Sequence, residues 1–431
     1  MMNREQPAAI KPLSYWRRRV FVIAWLTYAS YYLGRVNLAV ALPSLRADLG
    51  WSKAVAGLIG SLFYWVYATG QLVNGQLGDR VSARRMVGLG LAASGLINIA
   101  LAFPLVRSSA LSSQLVLAAM LVLWLANGWM QSTGWGPIVK TLSLWFSPQE
   151  RGRVTALFNP CYVAGHAAAW ALAGALIARH GWRAAFGGPG ALLLIIAALW
   201  YLLLPERAPE DREQPLKPAL SLAGVVRGLR EVAALPQMRW TIAICFLSGM
   251  VKDGLTLWGP TYLVEAQGLS LSTAALTATL IPIAGIFGTI LGGVFLHGRG
   301  HGSEMRIVIG FALTLALGAV ALYHFGDDHR VALAVAALAL IAASSYGINA
   351  LLMSALPLSL GPRGKVSAAA GTLDFISYLG GGLSATLIGG IEETWGWGAV
   401  YSIWVGIALA IGALAWISRR RRAPTDTARS D

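Results

Sequence analysis

Apolar residues in this chain come in long runs separated by short polar breaks, and the runs, not a two-residue alternation, set its pattern. They predict twelve helical spans, near 20–42, 55–77, 86–106, 112–144, 154–179, 185–204, 238–264, 273–297, 306–325, 331–356, 366–391 and 397–418. About 20 helical residues at 1.5 Å each cross the ~30 Å of bilayer hydrocarbon, so each run is long enough to span. The longest polar segment, about 205–237, holds Pro205, Pro209, Pro215 and Pro218 among charges and reads as a linker. The expected organisation is an N-tail at 1–19, a six-helix bundle at 20–204, the linker at 205–237, a second six-helix bundle at 238–418 and a basic tail at 419–431. Arg17, Arg18 and Arg19 precede the first run as in a signal peptide, but that run is too long and lacks a small-residue cleavage site. It reads as a retained first membrane helix.

Composition agrees. Hydrophobic residues make up 56% of the 431 and charged ones only 12%, about half the ~25% of a soluble domain. The net charge of +15 would suggest nucleic acid in a soluble chain. Here Lys and Arg crowd into the N-tail, the loops after the even spans and the C-tail, which the positive-inside rule reads as cytoplasmic. The basic excess is thereby accounted for by topology, and Arg419–Arg422 reads as an anchor at the membrane surface. Cys161 and Cys245, far apart and each inside an apolar run, read as buried thiols with no metal-ligand spacing.

A charge at the bilayer centre costs at least ~2.5–3.5 kcal/mol, so the few inside the spans point to function. Arg35 lies deep in the first span, and Tyr28, Tyr31 and Tyr32 stand seven, four and three residues before it, on its face of a continuous helix. A guanidinium among hydroxyls is an anion site, because its fork matches a phosphate or carboxylate and it stays protonated. Lys252 occupies the seventh span, the pseudo-symmetric counterpart of the first, and the two would clamp an anion. Asp253 projects about 100° from its neighbour on a helix and need not neutralise it directly. Asp374, on the eleventh span, is another candidate partner, and either acid could form an ion pair or carry protons. Lys140 reads as snorkelling and His166 as a satisfied interior histidine.

The loop after the second span, Gly75-Gln-Leu-Gly-Asp79-Arg80-Val-Ser-Ala-Arg84-Arg85, resembles the signature loop of the major facilitator superfamily. That resemblance implies conformational gating by Asp79, Arg80 and Arg84. Tyr28 to Asn37, Gly134-Trp135-Gly-Pro137, Glu150-Arg151-Gly152 with Asn159, Leu257 to Leu263 and Tyr378-Leu-Gly-Gly381 further resemble the organophosphate:phosphate antiporter branch, which includes the bacterial glycerol-3-phosphate and hexose-phosphate transporters. In those antiporters arginines on the first and seventh helices bind phosphate. The resemblance therefore implies that role for Arg35 and, with loss of the fork, for Lys252. It also implies cavity positions for Trp135, Asn159, Tyr346, Tyr378, Tyr28 and Tyr32. The chain departs from the branch at Phe158, Tyr162 and Val163, where the branch carries tryptophan, histidine and asparagine, and at Gln71, where a relative carries lysine. The cavity is expected to be anionophilic but less basic.

The expected fold is thus all-α, with twelve transmembrane helices in two pseudo-symmetric six-helix bundles. The expected function is secondary transport of a small organic anion, a phosphorylated metabolite exchanged for inorganic phosphate, by a monomer in the cell inner membrane with both termini cytoplasmic. A proton-coupled carboxylate symporter and a sugar-phosphate receptor on the same fold are the alternatives. An enzyme is disfavoured, because no nucleophile and base, metal cluster or phosphate-cradling glycine loop occurs in the sequence; no cofactor, metal or nucleic acid is implied.

Overall fold

The computed structural model describes residues 13–78, 81–103, 113–147, 150, 154, 157–205, 227, 230–235, 238–296, 303–326, 330–355 and 366–422. Asp79 and Arg80 of the signature loop, Arg151 and Gly152, and most of the 205–237 linker lie outside them. All regular elements among the described residues are helical. In chain order they are α1 (Leu13–Tyr31), α2 (Asn37–Leu49), α3 (Lys53–Leu77), α4 (Ala83–Ala102), α5 (Ser113–Gln131), α6 (Trp135–Trp145), α7 (Pro160–His180), α8 (Ala184–Leu203), α9 (Met238–Glu265), α10 (Leu271–Ala278), α11 (Leu280–Leu296), α12 (Glu304–Phe325), α13 (Val331–Ala350) and α14 (Val366–Arg422). A 3-10 turn, Tyr32–Gly34, follows α1, and a π segment, Leu351–Ala355, follows α13.

Among the described residues, nine helical stretches are long and apolar enough to cross a membrane. The last of them is two arms of α14 that meet at Gly396, whose φ of 74° is open to glycine without a Cβ clash. The α1–α2 pair and α3 complete the twelve expected spans; they are more polar than the nine because they carry Arg35, Asn37, Gln71 and Asn74.

Two spans expected to be continuous are broken at matching depth. The first tightens at Tyr32–Gly34 and resumes at Asn37, and the fourth breaks between Gln131 and Trp135. An unwound backbone in hydrocarbon must find partners within the protein. Gly34 O accepts from Asn127 Nδ2 at 2.8 Å and Asn98 Nδ2 at 3.4 Å, while Val36 O accepts from Trp170 Nε1 at 3.0 Å. Gly34 is required by close approach, since a Cβ there would sit 2.7 Å from Leu193 Cδ1 and 2.8 Å from Asn98 Nδ2.

The first six spans meet the last six at the end opposite the termini. Lys53 Nζ lies 2.7 Å from Glu265 and also pairs with Glu392, and Arg46 Nη1 is 3.0 Å from Glu265. Ser61 donates to Gly382 O, Trp65 Nε1 donates to Leu379 O at 3.2 Å, and Tyr64 OH donates to Asp253 O at 3.4 Å. These bonds tie α3 to α14 and α9. Near the opposite end, Glu150 pairs with Arg17 at 3.3 Å. Hydrogen bonds from the Ser147 backbone N–H and hydroxyl, helped by that arginine, hold the Glu150 carboxyl below the usual carboxylate range.

Candidate functional site

A cavity of about 1020 Å³ lies between the two sets of six spans. Its lining runs from Arg35 and Lys252 to Gly75, Gly136, Met353 and Gly371, toward the end where the chain begins and finishes, while the ion pairs above close the other end. Of the residues expected at the site, Tyr28, Tyr32, Arg35, Gln71, Trp135, Asn159, Tyr162, Lys252, Asp253, Tyr346, Asp374 and Tyr378 all line it.

Arg35 follows directly on the 3-10 turn. Residues three apart eclipse in that geometry, so Tyr32 comes under the guanidinium, 4.7 Å from ring centroid to Cζ. Tyr67 of α3 offers a second ring at 4.4 Å, and the Tyr67 hydroxyl accepts from Gln71 Nε2 at 2.8 Å. Arg35 Nε donates to Gln131 Oε1 at 3.3 Å, whereas its Nη2 has no protein partner although Arg35 is only 8% exposed. Behind Gln131 runs a fully buried polar chain. Gln131 Nε2 donates to Ser94 Oγ at 2.8 Å, Ser94 Oγ to Asn127 Oδ1 at 2.6 Å, and Asn37 Nδ2 to Asn98 Oδ1 at 2.9 Å. The same asparagines hold the Gly34 carbonyl, so one network both keeps the helix open and fixes one edge of the guanidinium.

The facing wall belongs to α9, α13 and α14. Lys252 Nζ lies 3.3 Å from Asp253 Oδ1, so of the two acids left open as its partner the adjacent one is the ion pair. The four-carbon lysine stem is long enough to bridge the ~100° between neighbouring Cβ directions on a helix. Lys252 Nζ also stands 5.0 Å from the Tyr378 ring centroid. Asp253, 5% exposed, keeps Oδ2 unpartnered. Asp374 lines the same wall and makes neither a hydrogen bond nor an ion pair among the described residues.

Other expectations are revised. Tyr31 does not line the cavity; its hydroxyl lies 3.2 Å from both Val87 O and Thr133 Oγ1, packed against α4 and the break before α6. The tightened turn after it removes the shared face that a continuous helix would have given. Lys140 reaches the end of its span, where Nζ donates to Gly78 O at 2.9 Å. Arg84 donates to Tyr201 O and lies 4.7 Å from the Tyr201 ring, joining α4 to the end of α8; its loop partners Asp79 and Arg80 are outside the described residues. His166 is interior, as read, yet it also lines the cavity, stacked on Tyr32 at 5.8 Å with Nε2 unpartnered.

Tyr67, Gln131 and the buried asparagines were missed by sequence reasoning. Tyr67 stands four residues before Gln71, on the same face of α3. For the network the available signal was a set of amides at 37, 98, 127 and 131, each inside an apolar run and each costly unless partnered.

The profile of the Major Facilitator Superfamily matches residues 24–385. The Glycerol-3-phosphate transporter of Bacillus subtilis (strain 168) is 28% identical over 442 residues, covering 97% of this chain and 96% of its own. The Membrane sensor protein UhpC of Escherichia coli (strain K12) is 28% identical over 421 residues, covering 93% and 91%. In three dimensions the chain resembles a bacterial homologue of the human lysosomal transporter Spinster in an inward-facing and occupied conformation, with TM-score 0.73, 17% identity, and 96% and 98% of the two chains covered. At that identity the likeness speaks to fold alone.

Proposed function

The chain belongs to the major facilitator superfamily, and from that premise we propose that it is a secondary transporter exchanging a phosphorylated metabolite for inorganic phosphate. The observation that carries the reading is Arg35, a buried permanent cation lining the cavity, with aromatic rings on two sides and an amide on a third. An unsatisfied guanidinium in a membrane interior is costly, and an oxyanion accepting from it removes that cost. The relatives, one of them a glycerol-3-phosphate transporter, support phosphate esters as the class.

In this reading the segments 20–204 and 238–418 rock about the cavity by alternating access, joined by the 205–237 linker, in a monomer. Both termini face the cytoplasm of a cell with the protein in its inner membrane, which makes the described conformation open inward and sealed outward by Lys53, Glu265 and Glu392. Exchange follows from charge, since an empty carrier would have to carry Arg35 across unpaired. A second reading, a receptor on the transporter fold, has one observation in its favour, the relative named as a membrane sensor.

Proteoliposomes separate the readings. Phosphate-loaded vesicles at equal internal and external pH should drive uptake of a phosphate ester. Uptake that ignores internal phosphate and follows an inward proton gradient would replace antiport with symport through Asp253 or Asp374. Specific binding of the ester with no flux under either condition would favour the receptor.

A further inference from the structure

The cavity is dipolar. On the wall built by the first six spans, Arg35 is the sole charged lining residue among those described. On the facing wall stand one cation, Lys252, and two carboxylates, Asp253 and Asp374. Lys252 is already committed to Asp253 at 3.3 Å, so the pair is close to self-neutral and Asp374 is left over. Arg35 and Asp374 line opposite walls of the cavity, and Asp374 makes neither a hydrogen bond nor an ion pair among the described residues.

A dianion reaching from Arg35 to the second wall would find Lys252 already paired with Asp253 and would be repelled by Asp374. A substrate with an anion at one end and an ammonium at the other meets a cation first and a carboxylate second, and leaves neither wall unpaired. The ring of Tyr346, on the acidic wall, adds a face that attracts a positive group.

We propose that the preferred substrate is a zwitterion, an amine-bearing phosphate ester whose phosphate binds Arg35 and whose ammonium binds Asp374. This rests on the phosphate-exchange reading above and narrows it from phosphorylated metabolites to phosphorylated amines.

The experiment is competition against exchange of labelled inorganic phosphate in proteoliposomes of the full chain. The competitors are 2-aminoethyl phosphate and 3-aminopropyl phosphate, each against the uncharged-tail analogue of equal length, propyl phosphate and butyl phosphate. At least one amine should compete about tenfold better than its analogue, the size expected of a desolvated charge pair. Asp374→Asn should bring that ratio close to unity, a readout independent of how much exchange the variant retains. Equal competition by amine and alkyl ester in the wild type would overturn the proposal while leaving phosphate exchange standing. An amine preference that persists in Asp374→Asn would also overturn it. Absence of phosphate exchange in the wild type would instead remove the antiport reading on which it rests.

Discussion

Tyr67 and Tyr378 meet edge to face with ring centroids 5.0 Å apart, and each carries one of the cavity's two cations on its ring. Arg35 lies 4.4 Å from the Tyr67 centroid and Lys252 Nζ lies 5.0 Å from that of Tyr378. One ring comes from the first six spans and the other from the last six. The pair therefore stands between two like charges and links the walls at the depth of the site.

If the ring face of Tyr67 supports the guanidinium, Tyr67→Phe should bind substrate nearly as the wild type does, losing only the bond to Gln71. Tyr67→Leu should bind about 3- to 30-fold more weakly, the range of a cation–π contact in a dry site. Equilibrium binding of a phosphate ester to both purified variants checks this, and equal affinities would assign the ring to packing alone.

Arg35→Lys keeps the charge but loses the fork, so affinity should fall severely, by about 100-fold, while membrane expression stays near normal. Gln131 acts through Arg35. Gln131→Leu should raise KM by about tenfold, and Gln131→Glu should raise it further because a buried carboxylate competes with the substrate for the same guanidinium. Uptake kinetics that rank Gln131→Glu above Gln131→Leu would argue against a positioning role.

Lys252→Ala leaves the Asp253 carboxylate buried and unpaired, a loss of about 3–5 kcal/mol for such a site. Thermal unfolding of the detergent-solubilised protein should show it, and Asp253→Asn in the same chain should restore most of the midpoint. Lys252→Arg should preserve both stability and anion binding. Should Lys252→Ala bind substrate as tightly as the wild type, Lys252 serves Asp253 and not the anion.

Lys53 joins Glu265 and Glu392 across the sealed end. Lys53→Ala leaves two acids facing without their shared cation and should shift the conformational balance toward opening there. Leu257→Cys, on the cavity lining near that end, reports the shift, since Cys161 and Cys245 are buried. An impermeant maleimide added on the side away from the termini should label Leu257→Cys several-fold faster in the Lys53→Ala background, about the effect of 1 kcal/mol. An unchanged rate would show that the end stays closed without Lys53, held by the Arg46–Glu265 pair and the hydrogen bonds of Ser61 and Trp65.

The spans were legible because hydrocarbon imposes a length and a composition on any helix that crosses it, and that constraint is local in sequence. Arg35, Lys252, Asp253 and Asp374 were legible for the same reason: a charge in an apolar run is expensive wherever the chain folds. Which groups share those charges was decided by the tertiary structure. Tyr31 and Tyr32 are adjacent and alike, yet a turn tightened beside Gly34 and held by Asn98 and Asn127 aims one at α4 and leaves the other beneath the guanidinium. Lys252 pairs with its own neighbour, Asp253, and Gln131 became a ligand of Arg35 because the fourth span breaks beside the first. Period and spacing assume an unbroken helix, and at this site the unbroken helix is what the packing of neighbouring amides against a freed carbonyl took away.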